Sequence, residues 1–121
     1  MRKFMVLGVT IAALVLSGCA SGPSAGLEKG WNLMVLQKYS AAADQYQKVL
    51  AKYPENPYAH LNLGVAYQRL DKTDLARQQY QAAVKYGGSA QVTQVAEEKG
   101  LNARTTTVAD LARQNLQTLS Q

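Results

Sequence analysis

The residues of this chain that could do chemistry are few. There is one cysteine, Cys19, and one histidine, His60, among 121 residues. A catalytic thiol needs a base to activate it and a group to orient that base, and no such set surrounds Cys19. A single cysteine cannot close an intramolecular disulfide. Glu97 and Glu98 are adjacent, so on a helix they point apart, whereas paired-carboxylate catalysis needs convergence. No strand is evident, so no glycine-rich phosphate loop follows one, and no metal-ligand cluster is visible. His60 is expected to be packed or half exposed. The chain reads as a non-enzyme with no metal and no dissociable cofactor.

The position of Cys19 says more than its reactivity. The chain opens with Met1-Arg2-Lys3, continues with the apolar run "FMVLGVTIAALVL", and then reads "SGC". Positive charge, an apolar core and small residues before a cut form a secretory signal. The run is shorter than the ~20 apolar residues of a membrane-spanning helix, and Gly8 and Thr10 weaken it further. It is also apolar nearly all round, unlike the amphipathic face of a helix at the edge of a core.

The segment "LSGC" (Leu16 to Cys19) resembles the bacterial lipoprotein box. The resemblance implies a diacylglyceryl thioether on Cys19, cleavage just before it, and acylation of the new α-amine. Ala20 follows, not Asp, which in lipoproteins of double-membrane bacteria resembles outer-membrane sorting. The expected location is the periplasmic face of the outer membrane, the alternative being another bacterial membrane. Stable anchoring needs more than one acyl chain, at ~0.8 kcal/mol per buried CH₂. Residues 1–18 are thus read as a signal peptide, and 19–26 as the lipidated cysteine and a tether. "ASGPSAG" has no bulky apolar residue, and seven flexible residues span on the order of 15 Å. The folded part is expected close to the membrane.

Composition supports one folded domain over 27–121. Charged residues are 17% of the chain and the formal charge is +5, of which Arg2 and Lys3 supply two. The other bases are interleaved with acids. A nucleic-acid surface would cluster them, so nucleic acid is not an expected partner.

Shifting the sequence by 34 residues aligns Gly30 with Gly64, Leu36 with Leu70, Ala42 with Ala76 and Tyr46 with Tyr80. Leu33 falls on Tyr67 and Val49 on Ala83. This period, with "LGVAY" (Leu63, Gly64, Tyr67) and Ala76, Tyr80 and Ala83 at their offsets, resembles the tetratricopeptide repeat, a helix–turn–helix unit. The repeats run about 24–56 and 57–87, and 88–121 forms a capping region. In the first, Lys29 stands where Leu is expected, while Ala42, Tyr46 and Pro54 agree. Small Gly30, Gly64, Ala42 and Ala76 let paired helices approach, with Tyr46, Tyr67, Tyr80 and Ala83 filling the space beside them. The expected fold is all-α, with helices near 24–37, 40–53, 57–70 and 73–86. Asn56 is a good N-cap, Pro57 suits the first turn, and Gly87-Gly88 ends the fourth helix.

Two repeats leave apolar faces open. "TTTVADLARQNLQTL" places Val108, Leu111, Ala112, Leu116 and Leu119 on one helical face behind a Thr107 cap, so a helix over 107–119 is expected to cap the array. A shorter helix near 89–99, ended by Gly100, is also expected.

In the resembled family the first helix of each repeat lines a groove. Carried over by register, the groove residues are Leu27, Trp31, Met34 and Val35, then Tyr58, Leu61, Val65, Gln68 and Arg69. The carboxylate-clamp form of the family has Lys and Asn at several of these positions. Here only Asn62 agrees, so an amphipathic helix or an extended apolar segment suits the groove better. The resemblance implies a membrane-anchored, periplasmic protein-interaction module, an accessory or scaffold for an envelope assembly such as a pilus or secretion machine. The alternative is a structural envelope protein whose own C-terminal helix fills the groove. If that helix lies beside Trp31 the groove is closed; if it stacks on residues 73–86 the groove stays open.

Overall fold

The computed structural model describes residues 22–94 and 104–120. The signal segment and Cys19 lie outside these residues. Five helices and one two-stranded hairpin follow in the order α1 (Ser24–Val35), α2 (Tyr39–Lys52), α3 (Pro57–Arg69), α4 (Thr73–Tyr86), β1 (Gln91–Gln94), β2 (Arg104–Thr107) and α5 (Val108–Leu119). Among the described residues no helix is long and apolar enough to cross a membrane.

The four repeat helices form two antiparallel pairs. α1 packs on α2, α2 on α3, α3 on α4 and α4 on α5, with lesser contacts between α1 and α3 and between α3 and α5. The small residues expected to admit close packing do so by direct contact. A Cβ added to Gly30 would lie 2.6 Å from the Tyr46 ring, and one added to Gly64 would lie 2.6 Å from the Tyr80 ring. Each glycine is thus the seat of its partner tyrosine, and both tyrosines are fully buried, as are Ala42, Ala76 and Ala83. Tyr67 is buried too, and its hydroxyl accepts from Gln47 Nε2 at 2.5 Å, tying α2 to α3.

The helix signals are satisfied locally. The Asn56 side chain accepts from the Ala59 N–H at 2.9 Å with Pro57 in the first turn, and Thr107 Oγ1 accepts from the Asp110 N–H at 3.1 Å. Both groups occupy orphan donors that a helix start leaves free. Gly87 is the C-cap of α4, as expected, and has a second task. Its φ is −100°, open to any residue, but an added Cβ would lie 2.4 Å from Ala83 O in α4 and 2.9 Å from Ala109 N. The glycine makes room for the start of α5, whose Ala109 N–H donates to Gly87 O at 3.1 Å.

The turns within the two repeats hold a feature that carries no glycine. Gln37 and Asp71, one period apart, adopt φ of 57° and 59°. In each turn a six-to-one hydrogen bond closes the loop, Lys38 N–H to Leu33 O and Lys72 N–H to Tyr67 O, both at 2.9 Å. An inner bond accompanies each, from the N–H of Gln37 to Met34 O and of Asp71 to Gln68 O. This is the Schellman termination, built on left-handed residues with a Cβ.

One expected element is absent as such. Residues 91–94, inside the helix expected near 89–99, form β1, which pairs antiparallel with β2 in the register Gln91 with Thr107 through Gln94 with Arg104. The rest of that expected helix, with Glu97, Glu98 and Gly100, lies outside the described residues. The physical reason is apolar content. "QVTQ" offers one large apolar side chain, Val92, too little for a helical stripe and enough for a strand that buries one residue. β-branched Thr105, Thr106 and Thr107 favour the paired strand. Among the described residues the fold is all-α apart from this hairpin.

Candidate binding surface

The groove residues expected from register divide into two groups. Leu27, Met34, Leu61 and Val65 are buried, and the last two have no exposed surface. They belong to the core, which corrects their assignment to a ligand-contacting floor. The reason is the packing of neighbouring helices. α3 lies between α1 and α5 and against both α2 and α4, so every residue from Ala59 to Tyr67 is buried. Asn62, the one agreement with a carboxylate clamp, is 2% exposed and lies beside Tyr46 on the preceding helix. It is no part of an anion site on the surface.

The second group is reachable. Trp31 is half-buried, Val35 is 62% exposed and Arg69 is exposed. Arg69 lies over the Tyr39 ring, with its guanidinium carbon 6.0 Å from the centroid, so it links the end of α3 to the start of α2. Gln68 accepts from the Tyr80 hydroxyl at 2.7 Å. The Tyr58 hydroxyl donates to Gln91 O at 3.0 Å, which roots the hairpin at the N-terminal end of α3. Leu36, 64% exposed, and Leu75, 40% exposed, extend the apolar surface at the Schellman-turn end of the repeats. Register carried from the family missed them, because they flank the turn and do not face along the first helix.

The tail takes the capping position. α5 packs mainly on α4 and buries Val108, Leu111 and Ala112. Its register against α3 explains how. An offset of 53 superposes Asn115 on Asn62, Ala112 on Ala59 and Leu116 on Leu63. Asn115 is 1% exposed beside Tyr80, as Asn62 is beside Tyr46. α5 is therefore shaped like the first helix of a third repeat. Gln117, exposed, stands where α3 has Gly64, so α5 lacks the glycine seat that a following tyrosine helix would need.

His60 Nε2 donates to Pro54 O at 2.7 Å, Nδ1 pairs with the Gln79 side-chain amide at 2.8 Å, and the ring stacks on Tyr86. Both nitrogens hold the second repeat together. Burial raises the phenol pKa of Tyr46 and of Tyr80 well above 10.0. Partial burial raises that of Tyr58. Among the described residues no group of three metal-ligating side chains gathers.

Comparison with known families gives one match, a family model described as tetratricopeptide repeat over residues 27–91. Comparisons with curated proteins and with solved structures returned no match. The matched span covers α2, α3, α4 and all but the first residues of α1, more than half of the chain, and the chain belongs to the tetratricopeptide repeat family, whose helical repeats serve protein–protein interaction.

Proposed function

We propose that this protein is a membrane-anchored interaction module of the bacterial envelope, lipidated at Cys19 on the periplasmic face of the outer membrane, serving as an accessory or scaffold in an envelope assembly such as a pilus or secretion machine. The observation that carries the interaction half is the accessible apolar surface around Trp31, Val35 and Leu36, on a fold whose other large apolar residues are mostly buried. Single exposed apolar residues need no explanation, but Val35 and Leu36 are adjacent and more than half exposed. The partner chemistry that fits is an amphipathic helix or an extended apolar segment. α5 stacked on α4 supports this reading over a groove filled by the chain's own tail. The anchoring half rests on "LSGC" and its preceding charge and apolar run.

In-cell photocrosslinking from Trp31 and Val35, with Gln81 as an exposed control, tests both halves. The expected result is a discrete adduct from Trp31 and Val35 that Gln81 does not give. Cys19→Ala is expected to abolish fatty-acid labelling and weaken the adduct. The same adducts from all three positions would sink the surface. A wild-type protein without fatty-acid label would sink the anchor.

A further inference from the structure

One internal difference between the two repeats leaves a cleft. In the second repeat His60 seats its ring between Gln79, Pro54 O and Tyr86. One period earlier the corresponding residues are Gly26, Gln45 and Lys52. No ring fills the space, and Gln45 Nε2 donates to Gly26 O at 3.3 Å instead. A side chain could not enter from position 26, because its Cβ would lie 2.7 Å from Val49 Cγ2, where the second repeat has the smaller Ala83. What remains is a cleft of about 340 Å³ lined by residues that include Gly22, Pro23, Gly26, Lys48, Lys52 and Tyr53.

Three features of this cleft share one sign. Lys48 and Lys52 stand one helical turn apart, both exposed, and among the described residues neither joins an ion pair; the two pairs found there are Arg77 with Asp74 and Arg113 with Asp110. The acids nearest in sequence, Asp44 and Glu55, do not line the cleft. α1 begins at its edge, where among the described residues no side chain caps it and no acid stands in its first turn, so these residues set nothing against its first N–H groups and positive dipole end. Tyr53, 37% exposed, adds an amphipathic ring of the kind favoured at a membrane–water boundary.

Chain length decides what this end meets. Only Ala20 and Ser21 separate Cys19 from Gly22, which lines the cleft. Three residue steps reach at most about 10 Å. A lipid on Cys19 would hold the cleft within roughly one Debye length of the bilayer surface, where attraction between exposed charges is still felt. We infer that the end of the molecule formed by the start of α1 and the last turns of α2 rests on the membrane, with Lys48 and Lys52 engaging anionic phospholipid headgroups at the cleft. This inference rests on lipidation of Cys19. It orients the domain, placing the Schellman turns with Val35 and Leu36 at the opposite end, toward the aqueous space.

The test uses the processed protein, extracted from membranes and reconstituted in vesicles of phosphatidylcholine alone or with phosphatidylglycerol. Intact mass reports the state of Cys19 in the same sample. A water-soluble amine-acetylating reagent then reports lysine accessibility. With phosphatidylglycerol, Lys48 and Lys52 are expected to be acetylated several-fold more slowly than with phosphatidylcholine alone, while Lys38 and Lys72, at the Schellman turns, are unchanged. Each lysine near an anionic surface strengthens association about five-fold, so Lys52→Glu is expected to remove most of the protection at Lys48. Equal acetylation of Lys48 and Lys52 in both vesicles, with Cys19 acylated, overturns the docking face and leaves the anchor standing. An unmodified Cys19 overturns both.

Discussion

The first and second repeats share a backbone plan and differ in what surrounds them. Gly30 and Gly64 both seat a tyrosine, and Gln37 and Asp71 both close a left-handed turn. Yet α3 is buried from Ala59 to Tyr67, whereas α1 buries only Leu27, Gly30 and Met34. The second repeat has neighbours on both sides, the first repeat and α5. Among the described residues the first repeat has a neighbour on one side only. In a linear array stability is a sum of unit and interface terms, so the middle unit is held by two interfaces and the end unit by one. The difference also reaches single atoms. The Tyr80 hydroxyl donates to Gln68, while the Tyr46 hydroxyl is buried without a hydrogen-bond partner.

The sharpest way to break this comparison is to overfill the two glycine seats. Gly64→Leu is expected to cost about 3 kcal/mol, since the Tyr80 ring is held between α3 and α5 and cannot retreat. Gly30→Leu meets the same 2.6 Å contact, but α1 is an end helix free to shift outward, and about half that loss is expected. Thermal unfolding followed by circular dichroism checks both, at roughly 4–8 °C per kcal/mol for a domain of this size. Equal losses would mean that α1 is held as firmly as α3.

A smaller effect separates the tyrosines. Tyr80→Phe removes a made hydrogen bond and is expected to cost about 1 kcal/mol at neutral pH, whereas Tyr46→Phe removes an unmade one and is expected to be neutral or slightly stabilising. Above pH 10 the order changes. Burial raises both phenol pKa values in the folded state above the ordinary 10.0, so the unfolded chain loses protons first and stability falls as pH rises past that value. Each Tyr→Phe variant is expected to flatten this alkaline loss, and denaturant titrations at neutral pH and near pH 11 measure it. A slope unchanged in the double variant would show that neither phenol is responsible.

The smallest effect acts in the favourable direction. Gln37→Gly and Asp71→Gly each relieve a Cβ in the left-handed region, with a gain on the order of 1 kcal/mol, less at Asp71 because Asp tolerates that region better than Gln. A lower melting temperature in either variant would show that the side chain repays its strain.

The turn, the cap and the hairpin show how far the sequence could be read. The glycine, alanine and tyrosine positions were legible because close packing of two helices admits few residue types, and they recur at a fixed period. The caps at Asn56 and Thr107 were legible because a helix start is a local event. The Schellman turns were not, since Gln37 and Asp71 lack the glycine that usually signals them. The hairpin was not, since one valine among polar residues specifies neither helix nor strand until a partner strand is present.

The amino-acid sequence by itself determined the repeat, its period, the helix pairs and the amphipathic tail, all of which follow from local spacing and side-chain size. Only the tertiary structure decided which apolar residues of those helices are core and which are surface. Leu61 and Val35 are both groove residues by register, yet one has no exposed surface and the other is more than half exposed. Burial depends on how many neighbours a helix has, and that number is a property of the assembled array, not of the repeat.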